Sequence, residues 1–241
     1  MEKVIAIFGA GPGLGNALAR RFGQEGFRVA LVVRRKESLD ALLTELAAAR
    51  IGAAAFQADL RESDRIPGLI SDIREHFGRI DVVEYAPITT APFIAAADLT
   101  PDALEPYVRL FLYSPIAIVQ AVLPEMLERG DGAILVTHGG TAARPVPGLS
   151  GVGPIMAATR NFLFALHGEV ADKGVYVGTL TNSAIIRNSA YHELTRSNEA
   201  SKAKFSHLPI VDPEELADLY FRMMIDRKRI EANWPPIGED G

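Results

Sequence analysis

No cysteine occurs in this 241-residue chain, which excludes disulfides, thiolate catalysis and Cys-ligated zinc. No HExxH or comparable His spacing offers another metal site, so none is expected. With a formal charge of −5 and scattered basic residues, the chain lacks the phosphate-neutralising surface that a nucleic acid needs. No apolar run approaches a bilayer span, and the opening stretch, one Lys before a short apolar run, is too short for a secretory signal. The expectation is a cytoplasmic protein with no membrane partner. There is no internal repeat, coiled coil or low-complexity block either. What is present, 48% apolar content in an alternating pattern, suits one α/β domain over residues 1–241.

The chain is organised around KVIAIFGAGPGLGNALARR, residues 3–21. Val4 to Phe8 has no polar member, as a strand buried on both faces of a parallel sheet requires. Gly9, Gly11, Pro12, Gly13, Leu14 and Gly15 follow as a loop whose backbone can approach a pyrophosphate, with the charge at the positive end of the next helix. Leu14, Ala17, Leu18, Arg21 and Phe22 keep the spacing of one helical face. Strand, loop and helix come in the order a dinucleotide site needs.

Phe27 to Val33 reads as a second strand, with Arg34 and Arg35 directly after it. Val33 fills the place where an acidic residue would hold a ribose 2′-hydroxyl, and arginines there can pair with a 2′-phosphate, which favours NADP over NAD. Glu37 to Arg50 is a helix, and Ala53 to Ala58 a third strand ending at Asp59, either an adenine contact or a cap for the turn ahead. A helix follows Ser63 and stops at Gly78, and Ile80 to Tyr85 is a fourth strand turning out through Ala86 and Pro87. Thr100-Pro101 starts a helix that Pro106 and Pro115 interrupt, predicting two pieces or a kink before Ile116 to Leu127. Ala133 to Thr137 is a fifth strand opening into a Gly- and Pro-rich loop. Pro154 to Asp172 is a long helix and Val175 to Thr181 a sixth strand. Residues 186–208 are polar and read either as a substrate lid or as a surface excursion. A last helix starts at Asp212-Pro213 and runs through Met224. The tail from Trp234 to Gly241 gives no clear pattern.

Gly9 to Gly15 fits GxxxGxG. With Arg34-Arg35, Ala58-Asp59-Leu60 and Phe77-Gly78-Arg79-Ile80-Asp81-Val82 at their spacings, the chain resembles the short-chain dehydrogenase/reductases over roughly residues 3–180. The resemblance implies a doubly wound, three-layer Rossmann fold with a mostly parallel seven-stranded sheet and NADP across its carboxyl edge. The cofactor contacts it implies are the six loop residues with Arg34, Arg35, Asp59, Leu60, Ala86 and Pro87. Members commonly form dimers or tetramers through the helices that here are Ile116–Leu127 and Pro154–Asp172, and some bind a small-molecule substrate.

Family chemistry uses a Tyr and a Lys four residues apart, a Ser and often an Asn. Tyrosine exchanges the hydroxyl proton, lysine depresses its pKa, and serine orients the carbonyl. Counting along this chain puts Gly139 at the serine, Val152 at the tyrosine, Met156 at the lysine and Phe111 at the asparagine. None of the six tyrosines has a lysine four residues later. No catalytic residue is therefore assigned. Three readings stay open: an NADP-binding sensor or regulator, an oxidoreductase using other groups such as Thr137, His138, Tyr85, Tyr191 or His192, and a fold used only as an interaction surface.

Overall fold

The computed structural model describes residues 2–236, apart from the side chain of Ala200. The tail reading from 237 onward lies outside them.

The strand β1 (Val4–Phe8) is completely buried, which an all-apolar pentapeptide permits only at the centre of a sheet. The helix α1 (Leu14–Gln24) packs Leu14, Ala17, Leu18 and Phe22 back onto it. Next come β2 (Arg28–Val33), a 3₁₀ turn (Lys36–Leu39), α2 (Asp40–Ala48) and β3 (Ala53–Gln57). The helix expected over 37–50 thus begins as a tighter turn. The helix α3 (Ile66–Phe77) leads to β4 (Val82–Tyr85).

From Pro101 to Arg129 the chain is one continuous helical run rather than the two separate pieces that were one of the two expectations. It comprises α4 (Pro101–Val108), a π-helical turn (Arg109–Tyr113) and α5 (Ser114–Arg129). Pro115 has no N–H, so the Phe111 carbonyl four residues earlier lacks its helical partner. The Thr159 hydroxyl donates to that carbonyl, and the buried Tyr85 hydroxyl donates to the neighbouring carbonyl of Leu110. Side chains from other elements therefore replace what proline removes, and the helix resumes after the π-helical turn. The run is also long and apolar enough to cross a membrane by length and composition, with mean hydropathy 1.6 in its best window, 39% of it buried. That corrects the expectation that no stretch approaches that length.

The remaining elements are β5 (Gly132–Gly139), α6 (Val152–Val170), β6 (Val175–Asn182), β7 (Ile185–Ile186), α7 (Ala190–Ser197), α8 (Glu199–Phe205), β8 (Ile210–Val211), α9 (Pro213–Asp226) and β9 (Glu231–Trp234). The main sheet has seven strands in the order β3-β2-β1-β4-β5-β6-β9, every neighbouring pair parallel. One face carries α1, α2 and α9 over a core including Ile5, Leu31, Leu135 and Tyr220; the other carries α3, α5 and α6 over Phe8, Val83, Ile134 and Val177. This is the three-layer doubly wound fold. The strand order reverses between β1 and β4, so the crevice for a ligand opens at their carboxyl ends.

Candidate cofactor and active site

The loop between β1 and α1 is shaped by close approach. Gly9 has φ +89°, and a Cβ there would stand 2.7 Å from Pro87 Cα; at Gly15 it would stand 2.6 Å from Ala10 Cα. Neither position admits another residue without backbone movement. Gly11 is different: a Cβ there would meet only Gly9 O, at 3.8 Å, so its open side faces the crevice. No side chain caps α1, and with the Asn16 N–H donating to Gly11 O at 3.0 Å, the N–H groups of Leu14 and Gly15 are the ones left to an anion. Leu14 offers only its backbone, because its side chain is in the core.

Gly13 is buried, and a Cβ on it would come within 3.2–3.3 Å of Ser189, whose Oγ caps α7 by accepting the His192 N–H. Its missing side chain therefore makes room for the start of the 186–208 segment. Gly13→Val should displace α7, speed tryptic cleavage at Arg187 and Arg196, and abolish dinucleotide binding. A folded variant with unchanged NADPH affinity would show that the loop is not a phosphate site.

Arg34 and Arg35 are exposed just beyond β2, and no carboxylate among the described residues is within ion-pairing reach of either. Across from them, Ala58 N–H donates to Val33 O at 3.0 Å and Gln57 Nε2 to Arg34 O at 3.0 Å. Asp59 takes the capping alternative: Oδ1 accepts the Arg61 N–H at 3.0 Å, and the Arg61 guanidinium grips both oxygens. Arg61 thereby holds the Asp59 carboxyl below its usual range, with Arg34 adding a smaller pull. As an adenine contact Asp59 is already engaged. Leu60 has its side chain buried in the core and its carbonyl accepts the Ser114 hydroxyl, which leaves its N–H as the group it could offer. Ala86 and Pro87 stand over the loop, with Ala86 N–H donating to Phe8 O at 3.0 Å.

Four positions converge at the end of β5. Phe111, on the π-helical turn, is buried with Tyr107 and Ile155, and Val152 and Met156 pack against them. The Gly139 N–H points at the Met156 sulfur, 3.3 Å away. Gly139, Val152, Met156 and Phe111 bring no group that exchanges a proton, and the one hydroxyl of the cluster, on Tyr107, donates to Pro92 O at 3.4 Å.

The alternative polar groups lie elsewhere. Tyr85 is a core residue whose buried hydroxyl is spent on Leu110, and burial pushes its pKa far up. His138 is 2% exposed under α6, its Nε2 has no partner among the described residues, and burial lowers its pKa to about 4. Thr137 donates to Glu84 Oε1 at 3.1 Å and lies 2.8 Å from the Tyr220 hydroxyl. This internal polar chain is not foreshadowed, since Glu84 sits in a strand that alternates no polar face. Glu84 is fully buried, which raises its pKa to about 8.

The 186–208 segment folds as α7 and α8 beside the parallel β7–β8 pair. Phe205 is 5.8 Å from Phe93 and 5.5 Å from Tyr191, so the segment is held down on the loop after β4. Burial raises Tyr191 to about 12. His192 Nδ1 accepts the Asn188 N–H at 3.1 Å, and the ring lines a cavity of about 320 Å³ within the segment, with Thr195, Phe205 and Ile210. No cluster of metal-ligating side chains occurs among the described residues.

The short chain dehydrogenase profile matches residues 3–198. The chain belongs to the short chain dehydrogenase family. This dehydrogenase-family chain is 27% identical over 223 residues to sulfoacetaldehyde reductase 2 of Chromohalobacter salexigens, covering 92% of this chain and 88% of that protein. It is 24% identical over 234 residues to the dehydrogenase/reductase SDR family protein 7-like of Drosophila melanogaster, covering 94% and 71%. L-sorbose reductase of Gluconobacter frateurii, solved with NADPH and L-sorbose, superposes with a TM-score of 0.80 at 22% identity, over 92% of this chain and 89% of that one. That superposition shows a shared fold.

Proposed function

We propose that this family member binds NADP(H) across the carboxyl ends of β1, β2 and β4 and has weak dehydrogenase activity or none, acting as a dinucleotide sensor or regulatory protein. The observation that carries this reading is the contrast between an open glycine loop beside free arginines and an apolar cluster at Phe111, Val152 and Met156. The NADP-type partner of the structurally similar L-sorbose reductase supports the choice of cofactor. Bound NADPH would supply a hydride. The chain's own part is to seat the pyrophosphate on the α1 N-terminus and the 2′-phosphate on Arg34 and Arg35. A homodimer or homotetramer through α5 and α6 belongs to the same reading.

Against an oxidoreductase with substitute groups stand the burial of Tyr85 and His138 and the engagement of Thr137. Fluorescence titration tests the binding claim. NADPH should bind more tightly than NADH, and Arg34→Ala should cost roughly 1.5–3 kcal/mol with NADPH while leaving NADH nearly unchanged, the scale of a hydrogen bond to a charged group. Equal losses for both would remove Arg34 from the site, and binding of neither would end the reading.

A further inference from the structure

We infer that the cavity between α7, α8 and β8 is a second ligand site, taking a small carboxylate with an aliphatic tail that acts as an effector of dinucleotide binding; the effector role rests on the dinucleotide reading above. Its volume of about 320 Å³ falls at the small end of the roughly 300–1,000 Å³ usual for small-molecule pockets. All of its lining comes from residues 185–210, so an occupant touches neither the glycine loop nor the cluster of Phe111, Val152 and Met156. The walls select the occupant. Ile185, Phe205, Leu208 and Ile210 supply an apolar side, and Ile210 is 48% exposed, an area that an aliphatic chain would cover. Every titratable side chain on the wall is basic: His192, Arg196 and Lys202. Arg196 meets Glu193 at 3.6 Å and Lys202 meets Glu199 at 3.7 Å, and neither carboxylate lines the cavity. Exposed pairs of that kind hold their partners weakly, so both cations can turn to an anion.

The two hydroxyls of the wall are engaged, Thr195 donating to His192 O at 2.8 Å and Ser206 to Ala203 O at 3.4 Å. That leaves the imidazole. His192 is 8% exposed and its Nδ1 accepts the Asn188 N–H at 3.1 Å, so the ring hydrogen sits on Nε2, which has no partner among the described residues. A buried N–H donor, two cations and an apolar wall together suit a carboxylate with a tail, whereas an amine meets like charge and an alcohol leaves the cations unused. The same ring ties the cavity to the cofactor loop. Asn188 has φ +63°, a left-handed backbone uncommon outside glycine, and the bond to His192 Nδ1 helps to hold it there. Beside it, Ser189 Oγ accepts the His192 N–H at 3.1 Å, and Ser189 stands 3.2–3.3 Å from where a Cβ on Gly13 would be. A carboxylate that accepts from Nε2 polarises the ring and makes Nδ1 a stronger acceptor. The turn at 188–189 is then held more firmly against the phosphate loop, which favours the dinucleotide-binding arrangement.

The test is calorimetric titration of the full chain with octanoate, octan-1-ol and octylamine as probes. Octanoate should fill one site per chain, octan-1-ol should bind about tenfold more weakly, the scale of one hydrogen bond to a charged group, and octylamine should not bind. Arg196→Gln with Lys202→Gln should weaken octanoate by about the same tenfold factor. Leu208→Trp, which fills the cavity without changing charge, should abolish octanoate binding. Thermal unfolding keeps a folding defect visible, and the double variant, at exposed positions, carries the test if Leu208→Trp does not fold. Saturating octanoate should tighten NADPH about fivefold, and NADPH should tighten octanoate by the same factor, because coupling between two sites is reciprocal. His192→Phe keeps a ring without nitrogens and should lose that coupling even at octanoate concentrations that saturate it. Equal affinity for octanoate and octan-1-ol, or an unchanged octanoate affinity in the double variant, overturns the site. An NADPH affinity that octanoate does not move overturns the effector role. If the unmodified protein binds no dinucleotide, the dinucleotide reading fails and the effector role with it, whereas the octanoate titrations still decide the site.

Discussion

Between pH 6.5 and pH 8 the folded protein should lose about 2 kcal/mol of stability, and Glu84→Gln should abolish that loss. Glu84 is fully buried between β1 and β5, with Oε1 on Thr137 and Oε2 unpartnered among the described residues. Burial raises its pKa from 4.5 to about 8. A carboxyl raised in this way contributes stability that is complete below pH 4.5 and is lost as pH climbs to 8, because the unfolded chain gives up its proton first. His138 works in the opposite direction. Burial lowers it from 6.5 to about 4, so its contribution is complete above pH 6.5 and is lost as pH falls toward 4. The slopes, each about 1.4 kcal/mol per pH unit, cancel between 4.5 and 6.5 and leave Glu84 alone above that. Urea midpoints from pH 4 to 9 read this out. The natural protein should be flat and then fall, whereas Glu84→Gln should rise to pH 6.5 and stay level. A natural protein with no decline from pH 6.5 to 8 would show that Glu84 is ionised in the fold.

Placing Val152→Tyr and Met156→Lys together should not yield an active enzyme. General acid–base help is worth about 10²–10⁴-fold, and oriented hydrogen bonds to the reacting oxygen add a comparable factor. Restoring two side chains recovers this only if they are held in the right geometry. Here the lysine would replace a thioether packed against Phe111, Tyr107 and Ile155. A charge put there loses water without gaining a partner, and Gly139 offers no hydroxyl to orient a carbonyl. The expected result is a less stable protein whose turnover stays within tenfold of the starting one. A gain above about 10³-fold would mean that the nicotinamide and carbonyl are already aligned, and that only the proton donor was missing.

How much of this could be read beforehand depends on how local the determinant is. Val4 to Phe8 and the glycines after it declare themselves, because continuous apolar character and missing side chains are properties of neighbours in sequence. β9 does not. Glu231 to Trp234 alternate polar and apolar over only four residues, too short a run to announce a strand, and Glu231 is held by Arg160, 71 residues earlier, at 2.6–2.7 Å. The continuous helix through Pro115 was hidden for the same reason, since the partners of its freed carbonyls, Thr159 and Tyr85, come from other elements. Tyr85 and His138 looked available because both stand near strand ends. In a strand covered on both faces, alternation cannot say which side chains reach the crevice. Arg61 was within reach of sequence reasoning: an Asp two residues before an Arg at a strand end is a turn closed by its own ion pair.

The proposal of a dinucleotide-binding protein that lacks the family's proton relay is tested most directly by steady-state NADPH oxidation. The unmodified protein, shown by titration to be saturated with NADPH, is offered a panel of ketones, aldehydes and quinones at neutral pH. The account predicts consumption no faster than the buffer control, or a residual rate several orders of magnitude below the usual enzyme median of about 10 s⁻¹. Turnover near that median with any member of the panel would contradict it and return attention to Tyr191 and His192 on the covering helices.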